Sequence, residues 1–415
     1  MNYKKKSVLV VDNGLFLHFA ETLTESFGVV YYWSPWVCAF PKSDALMVGQ
    51  GVPGVTRVRD IWEVADEVDL FLFFDVGYGA MQVYLAAQGK RVWGPREGEA
   101  LELDRVFAKE KAKELGIKVG PYEVVTGIDA LRKYLQDNPD QYVKMSTLRG
   151  DGETFYAQDY QLIEPRLDHL GYILGAKKNW IDFIVEDAIP DAIEIGYDGY
   201  TIDGLFARNA FFGVEVKDKG YLGEALPYNE LPASLQEVNE KLSPYFAQTN
   251  YRGIFSSEVR VQGSRAYLLD PCCRMPSPPG ELYGVMISNW ADILWQGAEG
   301  VLVEPVFTAK FGAILVLMSE WAMSHWQAVT YPDAIADFVR LKNYCVVDDM
   351  RYVVPQLHCP LDIIGYVTAT GDTAADAIRK VRRNAEQVEG LGITYVTSAL
   401  DDALEVYEEA KGEAQ

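Results

Sequence analysis

Glu258 and Asp270 are the residues from which chemistry is read most directly. They lie in the run 251–279, YRGIFSSEVRVQGSRAYLLDPCCRMPSPP. Phe255, Ser257, Val259 and Val261 alternate with Ser256, Glu258, Arg260 and Gln262; a Gly263-Ser264 turn follows, and residues 266–269 lead into Asp270. Period-two alternation on either side of a glycine turn predicts a hairpin. Antiparallel pairing across that turn brings the two carboxylates to neighbouring positions on one face. Two carboxylates held together repel, and a divalent cation between them relieves the repulsion. Arg274 follows four residues on, in a loop rich in Pro and Cys. A hard-cation site beside a loop arginine suits a nucleotide whose phosphates carry Mg²⁺. Taken alone, the same pair also reads as solvated or salt-bridged surface carboxylates.

The elements that must position this hairpin begin with an alternation of strands and helices. Residues 7–11, 29–33, 45–48, 55–61, 70–75 and 91–93 are β-rich, with helical stretches at 16–27 and 79–88. That rhythm predicts parallel βαβ units in a small open α/β domain. Its strand-end loops offer a place for a ligand. Asp12-Asn13-Gly14 is no GxGxxG fingerprint, however, and a scaffold without any ligand is an equal reading. Gly94-Pro95 breaks the pattern, and 100–115 reads as a helix closed by Gly116.

Residues 119–125 and 142–145 are strand-like around a helix at 129–135. Lys144 alternates with apolar neighbours in Tyr142-Val143-Lys144-Met145, a position from which a lysine can also simply snorkel. Arg149-Gly150-Asp151-Gly152 is either a loop whose N–H groups close over phosphates or a surface turn. A strand at 181–185 ends in Glu186-Asp187-Ala188-Ile189, and Glu194 lies eight residues after Glu186 in the alternating run 192–197. Asp198-Gly199 reads as a turn, 201–216 as strand, and 231–246, 284–296 and 309–323 as helices, the apolar run 311–318 being a core helix. Strands at 344–347, 351–354, 361–369 and 394–397 and helices at 373–389 and 401–410 complete the chain. The first of these helices opens on a Thr373-Ala374-Ala375-Asp376 capping pattern.

Bulk composition narrows the function classes. A chain of 415 residues is long enough for two to four units. With 49% hydrophobic residues it packs rather than staying disordered. The balance of 38 basic against 60 acidic residues, 38 − 60 = −22, repels nucleic-acid backbones and anionic membranes, so neither is an expected partner. No apolar run reaches the roughly 18 residues that span a bilayer, and the run 7–11 after Lys4-Lys5-Lys6 is too short for a signal peptide. Cys38, Cys272, Cys273, Cys345 and Cys359 have no zinc spacing and read as the reduced thiols of a cytoplasmic protein. A homodimer is the default expectation for assembly.

The order of these features resembles the ATP-grasp superfamily of carboxylate–amine ligases. Within it, the chain is most similar to the glycinamide ribonucleotide synthetase (phosphoribosylamine–glycine ligase) family. The similarity runs over nearly the whole length and rests on Trp93-Gly94-Pro95, Leu101-Glu102 with Arg105, Tyr142-Val143-Lys144, Val185-Glu186 with Glu194, Glu258 with Asp270, Cys272 and Arg274, and the closing stretch 365–384. The resemblance implies three parts: an N-terminal α/β domain (1–95), an ATP-grasp domain (96–330) with a mobile lid at about 119–187, and a small C-terminal α+β domain (331–415).

It also implies roles. Lys144 and Arg105 contact the ATP phosphates, with Gly150 and Gly152 in the covering loop. Glu186, Asp187 and Ile189 form the hinge at the adenine edge, and Glu194 takes the ribose hydroxyls. Glu258 and Asp270 ligate Mg²⁺ or Mn²⁺, and Arg274 faces the acyl phosphate. The implied activity is ATP-dependent joining of a carboxylate, such as the amino acid glycine, to an amine. Authentic phosphoribosylamine–glycine ligation of purine synthesis and ATP binding without turnover are the alternatives. Two departures stand out. Cys272 occupies the place of the family's asparagine metal ligand, and Asp12-Asn13-Gly14-Leu15 replaces an Arg-containing glycine loop.

Overall fold

The computed structural model describes residues 3–35, 47–146, 154–190, 192–263, 265–355 and 362–413. Gly150, Gly152, Cys38, Cys359 and the first half of the strand expected at 45–48 lie outside them. The first sheet is built from β1 (Ser7–Val11), β2 (Val29–Trp33), β3 (Val55–Arg57), β4 (Leu70–Phe73) and β5 (Arg91–Trp93), with α1 (Leu17–Leu23) after β1 and α2 (Gly79–Ala87) after β4. All its pairings are parallel, in the order β3-β2-β1-β4-β5. β1 is buried at every position, as a strand covered on both faces must be.

The helix expected over 100–115 is two helices, α3 (Ala100–Leu103) and α4 (Arg105–Glu114). Asp104 breaks it. Its backbone is extended, and its side chain caps α4 by accepting the Phe107 N–H at 3.0 Å. The span expected to form a lid comprises β6 (Tyr122–Thr126), α5 (Ile128–Asp137), β7 (Gln141–Met145), β8 (Thr154–Ala157), α6 (Tyr160–Leu174) and β9 (Asp182–Asp187). Its strands form an antiparallel sheet, β6-β9-β7-β8, with a core of its own around Leu131, Val143, Leu167 and Phe183.

The central elements are β10 (Ile193–Ile202), β11 (Leu205–Phe206), β12 (Asn209–Val216), β13 (Gly220–Pro227), α7 (Ala233–Gln248), β14 (Arg252–Gln262), β15 (Arg265–Cys272), α8 (Gly280–Met286), α9 (Trp290–Ala298) and β16 (Phe311–Met318). After them come β17 (Gln327–Val329), β18 (Val339–Leu341), β19 (Tyr344–Val347), β20 (Met350–Val353), β21 (Ile363–Gly371), α10 (Ala374–Ala385) and α11 (Ala399–Glu413). The large sheet runs β15-β14-β10-β12-β13-β16-β21-β18, so the C-terminal strands β18 and β21 extend the central sheet through β16.

Three expectations are corrected here. Residues 311–318 are a strand, not a core helix. β16 is buried along nearly its whole length between β13 and β21, which makes it apolar on both faces. Asp198-Gly199 is not a turn but lies in the middle of β10. Asp198 is buried and accepts hydrogen bonds from Tyr221 and Ser256 hydroxyls, each at 2.7 Å. Tyr221 reaches it because residue 213 is glycine: a Cβ there would lie 1.8 Å from the tyrosine oxygen. Residues 394–397 form no strand, only a single bridge from Thr394 to Met318. Among the described residues no helix is long and apolar enough to cross a membrane.

Candidate active site

The hairpin of β14 and β15 has the register the sequence implied. Glu258 pairs with Asp270 across the strands. A β-bulge follows directly, so Val259 faces Leu268 and Leu269 is the extra residue. Bulges re-aim side chains beside functional sites, and this one sits beside the carboxylate pair. Both residues line a cleft of about 670 Å³ between the β6-β9-β7-β8 sheet and the large sheet. Arg105, Lys144, Glu186, Asp187, Ile189, Glu194 and Arg274 line the same cleft, so every expected site residue that the structure describes is brought to one place.

Lys144 projects from β7 and is 4% exposed. Its Nζ lies 2.8 Å from Asp270 Oδ2 and 3.1 Å from Glu186 Oε2. Lys144 faces Ile184 in the register, so Glu186 is its diagonal neighbour on the same face of the lid sheet. These two carboxylates hold the ammonium charged and raise its pKa despite burial. Lys109 pairs with the other oxygen of Glu186. Lys109 and Arg105 stand four residues apart on one face of α4. Arg105 donates to Met145 O at 2.5 Å, and its Nε is 3.9 Å from Asp270 Oδ1. The break at Asp104 is what turns Arg105 toward β7.

Glu186 is therefore an ion-pair anchor, and its pKa is held down by Lys144 and Lys109 against the opposing effect of burial. The segment after it, expected as a hinge, contacts its neighbours through both backbone and side chain. Ile189 O accepts from Arg260 at 3.4 Å, and the Asp187 side chain accepts from Gln141 at 3.0 Å. Glu194 pairs directly across from Arg260, with 3.2 Å between Oε2 and Nε. Arg274 donates to Glu102 Oε1 at 2.8 Å, while the other Glu102 oxygen accepts the Cys273 N–H at 2.6 Å.

The test of a divalent cation is the electrostatics around Glu258. Burial first, then the charges of Glu194, Glu215 and Asp270, push its carboxyl well above the ordinary range. Glu215 is raised to about 7, chiefly by burial. Lys217, 3.8 Å from Glu215, only partly offsets this acidity. Among the described residues no three His, Cys, Asp or Glu side chains form a ligand cluster. Mg²⁺ needs no such cluster, since it binds through one or two carboxylates plus substrate phosphates and water. Glu258 and Asp270 fit that requirement. Cys272 lines the cleft beside them with its Sγ 3.7 Å from Arg274 O.

Sequence reasoning assigned no role to Glu102, Lys109, Glu215 or Lys217. The four-residue spacing of Arg105 and Lys109 could have pointed to Lys109. Glu215 and Lys217 become visible only through the pairing of β12 with β10. No histidine lines the cleft among the described residues.

No family model matches the chain, and no curated protein matches it. Solved structures do. Phosphoribosylamine–glycine ligase from Thermotoga maritima superimposes with a TM-score of 0.69 over 94% of this chain and 98% of that one, at 16% identity. Biotin carboxylase from Campylobacter jejuni, solved with an ATP analogue, matches with a TM-score of 0.64 over 98% and 96% at 17% identity. N5-carboxyaminoimidazole ribonucleotide synthetase from Thermus thermophilus matches with a TM-score of 0.62 over 92% and 98% at 13% identity. At these identities the likeness is one of fold, and the fold of this chain is the ATP-grasp fold.

Proposed function

We propose that the protein is an ATP-dependent ligase that activates a carboxylate as an acyl phosphate and joins it to an amine. The observation that supports this best is the convergence of Lys144, Arg105, Arg274 and the Glu258–Asp270 pair on one cleft of an ATP-grasp fold. In the first step a substrate carboxylate oxygen attacks the γ-phosphorus. The bond to the β–γ bridging oxygen breaks, and ADP leaves with its electron pair. In the second step the amine nitrogen attacks the acyl carbon, the C–O bond breaks, inorganic phosphate leaves, and the nitrogen gives up a proton to solvent.

Such chemistry depends on positioning and charge neutralisation rather than on a protein nucleophile. Lys144 and Arg105 hold phosphate oxygens, and Lys144 exchanges its carboxylate partners for them. Glu194 accepts from the ribose hydroxyls, and the 187–189 backbone meets the adenine edge. Glu258 and Asp270 hold Mg²⁺ or Mn²⁺, which supplies charge neutralisation on the phosphates. Arg274, fixed by Glu102, faces the acyl phosphate. The three-part division at 95 and 330, with a lid over 119–187 and Gly150 and Gly152 in its covering loop, belongs to the same proposal. So does a cytoplasmic homodimer.

The test is ADP and phosphate release from Mg-ATP against a panel of amino acids and other carboxylates, each with and without amines. Release that requires one carboxylate and one amine is the expected result. Carboxylate-independent hydrolysis, or tight Mg-ATP binding with no release for any pair, would count against ligation. The overall likeness to phosphoribosylamine–glycine ligase favours glycine as one carboxylate to test first.

A further inference from the structure

The first sheet has its topological switch point between β1 and β4, where the chain order reverses. In open parallel sheets, ligands bind outside the C-terminal ends of the strands at such a point. Here the crevice is formed by Asp12-Asn13-Gly14 after β1 and by residues 75–78 after β4. It lies next to the proposed nucleotide cleft. Met275 N–H donates to Phe74 O at 3.0 Å, and Arg274, which lines that cleft, has its Nε 4.0 Å from Asp75 Oδ1.

The crevice is built and acidic. Glu99 accepts the N–H groups of Gly77, Tyr78 and Gly79 at 2.8–3.2 Å, which fixes the second loop. Asn13, exposed at the mouth, bridges Asp75 and the Tyr78 hydroxyl. Asp12 is wholly buried. One oxygen accepts from Gly14 N–H, Phe16 N–H and the Tyr32 hydroxyl, while Oδ1 has no hydrogen-bond partner among the described residues. Glu281, at 7% exposure, stands within the field of Asp12. Neither loop, 12–16 or 74–79, contains a lysine or arginine. Of the nearby cations, Arg274 is held by Glu102, and Lys342 lies against Tyr366 and Glu281.

We infer that this crevice receives the amine co-substrate as an ammonium cation carrying no phosphate group, which gives up one proton to solvent before its nitrogen attacks the acyl carbon and a second afterwards. The inference rests on the ligase reading and deepens it. A phosphorylated amine would bring about two negative charges to a crevice that holds the carboxylates of Asp12 and Asp75 and whose nearest cation, Arg274, is already paired with Glu102. An ammonium finds Asp75 and Asn13 as acceptors, the Tyr78 ring beside them, and the buried carboxylate of Asp12 behind them. Bound there, the amine sits beside Arg274, next to the position where the acyl phosphate forms.

The test is calorimetry on the full-length protein with Mg-ADP present, titrating ethanolamine, n-propylamine and putrescine against O-phosphoethanolamine and inorganic phosphate. The expected result is binding of the free amines at least about tenfold tighter than O-phosphoethanolamine, and about tenfold weakening of amine binding in Asp75→Asn. Asn13→Lys, at an exposed position, should abolish the preference or reverse it. Equal or tighter binding of the phosphorylated amine, no amine binding at millimolar concentration, or insensitivity to both substitutions overturns the inference. Mg-ATP titrated in parallel separates the two claims. Its binding without amine selectivity sinks the acceptor assignment alone, and its absence sinks the ligase reading.

Discussion

The proposed nucleotide cleft and the strand-end crevice meet at Arg274 and carry opposite charge arrangements. In the cleft, cations are set between carboxylates from different elements. Lys144 of β7 reaches Asp270 of the large sheet, and Lys109 of α4 reaches Glu186 of β9. In the crevice, Asp12 and Asp75 follow β1 and β4, and the nearest cation, Arg274 at 4.0 Å from Asp75, is already held by Glu102. The first arrangement is ready to exchange partners when phosphate arrives, because each cation already has carboxylates to give up. The second waits for positive charge. An enzyme that must bind an anion and a cation side by side needs both, and keeping them apart stops one substrate from occupying the other's place.

Lys144→Ala should break the cleft side of this comparison most severely. We expect turnover to fall by about a thousandfold or more, since the fixed charge on the phosphates is lost. The protein should also lose stability, because Glu186 and Asp270 lose their shared buried partner, at about 3 kcal/mol. Steady-state kinetics and urea unfolding check the two parts. Activity within tenfold of the parent would mean that Lys144 is only a strut between lid and sheet.

Asp270→Asn separates the strut from the metal role. It removes one of two carboxylates but keeps the shape, and the Lys144 contact weakens rather than disappears. Turnover should drop about a hundredfold, and the Mg²⁺ concentration for half-maximal rate should rise. An unchanged Mg²⁺ dependence would leave Glu258 as the sole protein ligand.

Cys272→Asn tests a smaller effect. Cys272 lies opposite Ser256 and lines the cleft, and a thiol is a poor ligand for Mg²⁺. If residue 272 merely stands near the metal, the variant should keep its rate within about threefold and need no more Mg²⁺ than the parent. Complete loss of turnover would assign the thiol a role of its own.

What could be read in advance follows the same division. The Glu258–Asp270 pairing was legible because a two-strand hairpin with one glycine turn fixes register locally. Lys144, Glu186 and Glu194 were legible from the family resemblance and their order. β16 was misread because a strand buried on both faces has no period, and periodicity alone cannot tell it from a buried helix. α6 left no clear pattern. It contains Pro165, buries only Ile163, Leu167 and Leu174, and exposes Leu162, Tyr172 and Ile173, so its apolar residues do not mark one face. Glu215, Lys217 and the acidic crevice were out of reach because they arise from strands distant in sequence. Asp12 and Asp75 are neighbours only through the β1–β4 pairing.

The acidic crevice can be probed without any substrate through Glu281. Burial, with the charge of Asp12 adding and Lys342 opposing, pushes its carboxyl up to about 8 from an ordinary 4.5. The folded protein then holds a proton between pH 4.5 and 8 that the unfolded chain has released. Folding stability from this group is full below the unfolded value and is lost as pH rises through the folded one. In Glu281→Gln that loss should vanish. The difference in stability between parent and variant should therefore change with pH across this window, by at most about 1.4 kcal/mol per pH unit. Urea unfolding at several pH values between 5 and 8 measures it. A constant difference would mean that Glu281 is ionised and adequately paired with Lys342. In either case Glu281 adds no net negative charge, and the charge contrast between the two regions rests on Asp12 and Asp75.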